Sequence, residues 1–218
     1  MLNSITFENF TIKKVVSKSY LGVTLDENLN WKVHIKELEK SLIKLSNSFK
    51  IIKHKIPDEN KLLLYYAYVY SKIQYGLEVF GSASATEMRK IQTKQNTALK
   101  ILFSKDFYTP TIQLHHDLSV LLVKDIYKLY LTKFVYKHQN GLLPEAFDDY
   151  FIKNDTFHTH FTRQNMNLHK SQYKNQTGQK MIKHKGITFW NEFPSNVRNA
   201  VSINVFTRKA KEYLLSNY

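Results

Sequence analysis

The sequence predicts a mainly α-helical (α+β) protein, with short N-terminal β-strands, a helical bundle, and a basic, partly irregular C-terminal region closed by a final helix. Three observations carry that prediction. From Trp31 onward, apolar residues recur at three- and four-residue steps, as they do on amphipathic helices. Before that point, β-branched and aromatic side chains cluster between turn formers, the pattern of short strands. Between Thr156 and Asn191 no acidic residue occurs and apolar periodicity lapses, which suits extended or irregular backbone.

Each element follows from local chemistry. "ITFENFTIKKVVSKSYLGVTLD" reads as short strands, with Asn9 and Ser17 as turn residues between the runs. From Trp31, the residues Ile35, Leu38, Leu42, Leu45, Phe49 and Ile52 form one stripe of a helix ending near Pro57, and Lys36, Lys40 and Lys44 lie one turn apart on the opposite side. A second helix begins at "PDENK" and runs through "LLLYYAYVYSKIQYGLEVF"; apolar residues occupy every face, so it is expected to be the central buried element, ended by Gly81 and Ser82. A third, from about Thr86 to Phe103, places Met88, Ile91, Gln95, Ala98 and Leu102 on a seam flanked by Arg89, Lys90, Lys94 and Lys100. In "YTPTIQLHHDL", Thr109 is expected as N-cap and Pro110 as the first helical residue. Another helix spans Val123 to Gln139 and stops at Asn140 and Gly141. The last helix runs from Ser202, its expected N-cap, to Leu215. These elements group as residues 1–30, a short β element; 31–104, a helical region; and 105–218, a helical and basic region.

The chain has 218 residues, 43% of them hydrophobic and 14% aromatic. It can therefore bury a core as one domain or two small ones, and it is not a disordered tail. Thirty-two Lys and Arg against eighteen Asp and Glu leave a formal charge of +14. A polyanionic partner is favoured, RNA or DNA first and an anionic membrane second. More than half of that charge lies in residues 156–218, which hold ten basic and two acidic residues. The absence of cysteine excludes a disulfide framework and any thiolate zinc site. "MLNSITFENF" has no signal-peptide pattern, and the apolar run from Leu62 to Tyr70 is too short to span a bilayer. An intracellular location, nucleus or cytoplasm, is expected, with no membrane partner and no small-molecule substrate.

The carboxylate pairs and histidine clusters each fit an ordinary structural role. In "PEAFDDYF", Asp148 and Asp149 follow Ala146 and Phe147, so the aromatic-x-Asp-Asp order of a polymerase is off by one. Neighbouring positions on a helix diverge by about 100°. A solvated turn anchored by Leu143, Phe147, Tyr150 and Phe151 is the preferred reading. Asp58 and Glu59 stand next to each other at a helix start, where capping and dipole roles suffice. His158, His160 and His169 lack the cysteine or nearby acid that would complete a metal set, and His115 and His116 match no recognisable triad. Catalytic and metal-binding residues are therefore expected to be none.

"SKSYLGVTLDENLNWKVHI", "LLLYYAYVYSKIQYGLEVFGSAS", "MRKIQTKQNTALKILF" and "GITFWNEFPSNVRNAVSINVFTRKAKEYLL" together resemble, in order, the segment that follows the catalytic core in reverse transcriptases of LINE-type (non-LTR) retrotransposons. Phe80 stands where that family usually has Trp, and Phe193 where it usually has Leu. The resemblance implies a C-terminal, thumb-like and post-thumb portion, with Tyr20, Leu21 and Gly22 where the primer-gripping strand lies. Fingers and palm would precede the Tyr-Leu-Gly strand, and Met1 to Ser19 are too few to hold them. The expectation is thus a non-catalytic fragment, without a cofactor of its own, because the magnesium would belong to the missing palm. It would bind RNA or primer-template through the phosphate backbone, alongside the remainder of a reverse transcriptase. Contact candidates are Tyr20, Lys36, Lys40, Lys44, Arg89, Lys94, Arg163, Lys170, Lys174, Lys183, Lys185 and Arg208. Two alternatives stay open: a helical protein-interaction module, and a decayed remnant with no independent activity.

Overall fold

The computed structural model describes residues 4–7, 10–152, 154, 167–170 and 172–218. Asn9, Arg163, His158 and His160 lie outside them. Four short strands come first: β1 (Ser4–Phe7), β2 (Phe10–Lys13), β3 (Ser17–Tyr20) and β4 (Val23–Asp26). β1 pairs with β2 and β3 with β4, each as a separate antiparallel pair. Ser17, expected in a turn, instead opens β3 opposite Asp26. The reversal falls at Leu21 and Gly22, both at positive φ, 45° and 77°, which is the geometry of a two-residue hairpin whose twist suits its strands. Tyr20 therefore ends a strand, while Leu21 and Gly22 form the turn rather than continuing the strand.

The chain divides into two compact units, Met1–Lys72 with Ala83–Phe103, and Ile73–Ser82 with Ser104–Tyr218. In the first, α1 (Lys32–Ile52) packs along α5 (Ala85–Leu102) and against β4. The expected stripe is the buried one: Ile35, Leu38, Leu42 and Phe49 face inward, with Leu45 and Ile52 half-buried. From α5 come Ile91, Ala98, Leu99 and Leu102, each large aliphatic side chain contributing about 1.5–3 kcal/mol on burial. Ser84 caps α5 by accepting from the Glu87 amide at 3.3 Å.

The second helix departs from expectation. It is α2 (Asp58–Leu64), a π-helical segment (Tyr65–Tyr70) and α3 (Ser71–Gln74), and after Gly76, at φ 68°, a separate α4 (Leu77–Phe80). A π segment shifts the 3.6-residue period, so the apolar residues do not all find a core. Tyr65, Val69, Ile73, Leu77 and Phe80 are buried, but Leu63, Tyr68, Tyr75 and Val79 are exposed. Inside the first unit Tyr65 meets Tyr66 and Tyr70 edge-on. Its hydroxyl accepts from Gln95 Nε2 at 2.7 Å, and burial pushes the phenol well above its ordinary value. At the start of α2 no side chain caps the helix, so the capping role expected of Asp58 and Glu59 is absent. Both sit in the first turn, where the helix dipole favours them, and Asp58 pairs with Lys61 at 2.5 Å.

In the second unit, Pro110 rather than Thr109 takes the N-cap place of α6 (Thr111–Asp117), because its carbonyl accepts the first helical bond, from Leu114. The central helix is α7 (Val123–Gln139), which Gly141 terminates at φ 64°. Where irregular backbone is expected, two helices form, α8 (Gln176–Lys180) and α9 (Ile182–Glu192). Gly186, Ile187 and Trp190 supply a buried face for α9, short of apolar residues but sufficient because Gly186 lets it approach α7 closely: a Cβ there would lie 3.1 Å from Val135 Cγ2. Then come α10 (Ser195–Arg198) and α11 (Ile203–Leu215), the latter capped as expected by Ser202. Phe206 of α11 stacks on Tyr136 at 4.7 Å and on Trp190 at 5.8 Å, so Trp190 is a core residue. Tyr136 completes the junction by donating to the Ala200 carbonyl at 2.8 Å.

His115 is fully buried on α6, its Nδ1–H donating to the Val120 carbonyl at 2.9 Å. Burial holds its pKa below the ordinary 6.5, and burial does the same for His34 and, helped by Lys170 and Lys185, for His184. A histidine with a depressed folded pKa contributes stability in full above its unfolded value and loses it as pH falls through the interval down to the folded value. Urea midpoints are therefore expected to fall as pH drops through and below the ordinary histidine value of 6.5, and to fall less in His115→Gln, whose amide donates without titrating. An equal decline in both proteins would remove His115 from the account. Asp125, raised above its ordinary 3.8 by burial, acts with the opposite sign at lower pH.

Candidate nucleic-acid interface

The segment from Tyr20 to Lys44 is built around one carboxylate. Asp26 is buried at the end of β4, and its Oδ1 accepts from the amides of Asn28 (3.1 Å) and Asn30 (3.2 Å) while Oδ2 accepts from Trp31 (2.8 Å). That arrangement holds a tight loop in which Leu29 and Trp31 have positive φ, 49° and 65°. Trp31 is buried at the entrance of α1. A second contact, Thr24 Oγ1 donating to Glu37 Oε2 at 2.7 Å, ties β4 to the first turns of the helix. The corner fixes where α1 starts, and hence which side chains its outer face carries.

On that face Lys36, Lys40 and Lys44 are exposed at four-residue spacing over about 12 Å of helix. Among the described residues none of the three forms an ion pair. Tyr20 is exposed at the hairpin tip beside Leu21. On α5, Arg89 is exposed, whereas Lys94 is half-buried and paired with Glu39 of α1 at 3.2 Å.

The second unit carries its cations differently. Lys170, Lys174 and Arg208 are exposed. Lys183 and Lys185 are half-buried on α9, with their ammonium groups 5.5 Å from the Tyr150 ring and 5.8 Å from the Phe189 ring. Lys124 and Lys137, not among the contact candidates, are also exposed on α7, and their spacing from the apolar positions of that helix marks them as outward. Asp148 and Asp149 are exposed on a turn, anchored by Phe147, Tyr150 and Phe151 packing on Phe134. Among the described residues no three His, Asp or Glu side chains gather as a metal set, and no helix is long and apolar enough to cross a membrane.

The "WNEFPSNVR" stretch explains itself through its contacts. Trp190 is in the core, and the Asn191 amide clamps Leu168 at both ends, Oδ1 accepting from its N–H (3.1 Å) and Nδ2 donating to its carbonyl (3.0 Å). Pro194 stands at the N-cap of α10, and Arg198, its guanidinium half-buried, donates to Asn167 Oδ1 at 2.9 Å. Burial lowers the Arg198 pKa from its ordinary value. Asn191 and Arg198 were not among the contact candidates; both serve to position residues 167–170.

Comparison with known proteins finds partial matches to RNA-directed DNA polymerases of mobile elements. A Drosophila melanogaster protein described as a probable RNA-directed DNA polymerase from transposon X-element is 23% identical over 141 residues, 62% of this chain and 16% of that protein. The RNA-directed DNA polymerase from mobile element jockey of Drosophila funebris is 30% identical over 109 residues, 49% of this chain and 12% of that protein. The chain is related to non-LTR retrotransposon reverse transcriptases. The jockey polymerase of Drosophila melanogaster is 26% identical over 129 residues, 56% of this chain and 14% of its own length. In each case the match spans under a fifth of the reverse transcriptase. No family model and no solved structure matches.

Proposed function

We propose that this chain is a nucleic-acid-binding, non-polymerising portion of a reverse transcriptase, its first unit thumb-like, which grips RNA or primer-template through the phosphate backbone. The observation that carries the reading is the exposed Lys36, Lys40 and Lys44 row on α1, set by the Asp26 corner that follows the Tyr20 hairpin. Lysines on a rigid helix neutralise successive phosphates without reading bases. Two-metal phosphoryl transfer needs several converging carboxylates, a role that Asp148 and Asp149, side by side on an exposed turn, do not fill. Magnesium chemistry is assigned to a palm on another segment.

Filter binding of a primer-template duplex across salt tests this. Neutralising ~6 phosphates gives a log-log slope of about −4 to −5, and the triple variant Lys36→Gln, Lys40→Gln, Lys44→Gln is expected to flatten it by about 3. A slope near zero, or one the triple variant leaves unchanged, would defeat the proposal. So would primer extension by the purified chain with nucleotides and magnesium. A second reading, docking on the rest of a reverse transcriptase, is favoured by the exposed Ile5, Phe10 and Ile12 of the N-terminal strands and by Val15 and Val16 of the link between β2 and β3. A monodisperse monomer that binds no dye for exposed apolar surface would count against it.

A further inference from the structure

The clamp on residues 167–170 has a product. Asn191 and Arg198 hold Leu168 and Asn167, and the His169 amide donates to the Ile152 carbonyl at 2.7 Å. The next residue, Lys170, is thereby set at the edge of a recess of about 610 Å³, lined with Gln172, Tyr173, Gln179 and His184. Gln179 comes from α8, whose N-cap Asn175 accepts from the Gly178 amide at 2.8 Å. Gly178 lies directly beneath the Tyr173 ring: a Cβ there would fall 2.5 Å from Cδ1 and 2.7 Å from Cγ. The same ring meets His184 edge to face, centroids 5.5 Å apart. Gln179 donates through its Nε2 to the Tyr173 carbonyl at 3.1 Å, which ties its amide to the Tyr173 backbone.

The lining chemistry is specific in kind. A volume of this size suits a small molecule of nucleotide dimensions. An aromatic ring offers a stacking partner, two side-chain amides offer the donor and acceptor pairs that base edges require, and an exposed ammonium suits a phosphate. The positive field of Lys170 and Lys185 at His184 marks the recess as a place for an anion rather than a cation.

We propose that this recess holds one unpaired nucleotide of a bound strand, its base beside Tyr173 within reach of Gln172 and Gln179 and its phosphate on Lys170. The inference rests on the nucleic-acid reading above and deepens it, because a paired base cannot leave its duplex to enter without unpairing. It makes the second unit a reader of single strand, complementing a first unit that grips backbone.

The test compares a short single-stranded RNA with a blunt duplex of the same length, by fluorescence anisotropy on the whole chain. The wild type is expected to favour the single strand by about tenfold, since stacking one base contributes on that scale. Gly178→Ala, which drives a methyl into the Tyr173 ring, is expected to abolish the preference while leaving duplex affinity and its salt slope intact. Gln172→Ala, on an exposed residue that leaves the fold undisturbed, is expected to reduce the preference about threefold. Adenosine 5′-monophosphate at millimolar concentration is expected to shift the His184 ring resonance in the wild type and not in Gly178→Ala. Duplex binding with no single-strand preference, a preference that survives both substitutions, or a His184 resonance unmoved by the nucleotide overturns the recess. Failure to bind either nucleic acid overturns the backbone-gripping reading itself, so the two are separable.

Discussion

Asp26→Ala is expected to destabilise the first unit by about 3 kcal/mol, since hydrogen bonds to a charged acceptor are worth about 1.5–3 kcal/mol each and are not additive here. The carboxylate is buried, and three amides converge on it, from Asn28, Asn30 and Trp31. Alanine leaves those donors without their acceptor in a loop whose Leu29 and Trp31 already occupy left-handed backbone. That conformation is costly for any residue with a Cβ, so the loop has little to hold it once the acceptor is gone. Asp26→Asn keeps one acceptor oxygen and should cost about half as much. Trp31 reports the first unit if Trp190 is replaced by Phe, so urea unfolding followed by fluorescence in that background measures the effect. An Asp26→Ala protein within about 0.5 kcal/mol of its parent would show that the corner is held by something else. Because the corner sets where α1 begins, its loss should also weaken the binding assigned to Lys36, Lys40 and Lys44.

Gly81→Ala is the second large effect, expected to cost the second unit about 2–3 kcal/mol through overpacking. The backbone at Gly81 is ordinary, φ −64°, so conformational freedom is not the issue. Space is the issue. A Cβ at this position would lie 2.3 Å from Tyr127 Cδ2 and 2.5 Å from the Leu77 carbonyl oxygen. Tyr127 is buried, and its phenol is pushed up to about 12 by that burial, so displacing its ring disturbs packed surroundings. A double variant with Tyr127→Leu should recover part of the loss, because the ring clash goes while the carbonyl contact stays. Equal destabilisation in the single and double variants would place the strain wholly in the backbone. Trp190 fluorescence follows this unit.

Helix positions were largely legible. The α1 stripe, the seam of α5, the limits of α7 and the Ser202 cap can all be read from spacing and cap chemistry, and each of these side chains sits where its helical period puts it. The second helix was not legible, because a π segment at Tyr65–Tyr70 changes the residue count per turn, and no composition rule announces where an i→i+5 bond replaces an i→i+4 bond. Nor was α9. Its buried face is Gly186, Ile187 and Trp190, and glycine registers as a breaker in a pattern search although here it is the contact that lets two helices meet. Of the candidate site, the α1 lysines were legible as one row. That Lys94 pairs with Glu39, or that Lys183 and Lys185 lie over Tyr150 and Phe189, depends on side chains that come together only in the fold.

By itself the sequence determined a cationic, mainly helical chain related to reverse transcriptases, because charge, period and landmark order are properties of residue identity and spacing. Tertiary structure alone decided that Asp26 organises the entrance to α1, that Asn191 and Arg198 pin residues 167–170, and that Lys170, Tyr173 and His184 share one recess. These depend on hydrogen bonds and close approaches whose directions are set only once the helices have packed, and local propensity carries no record of them.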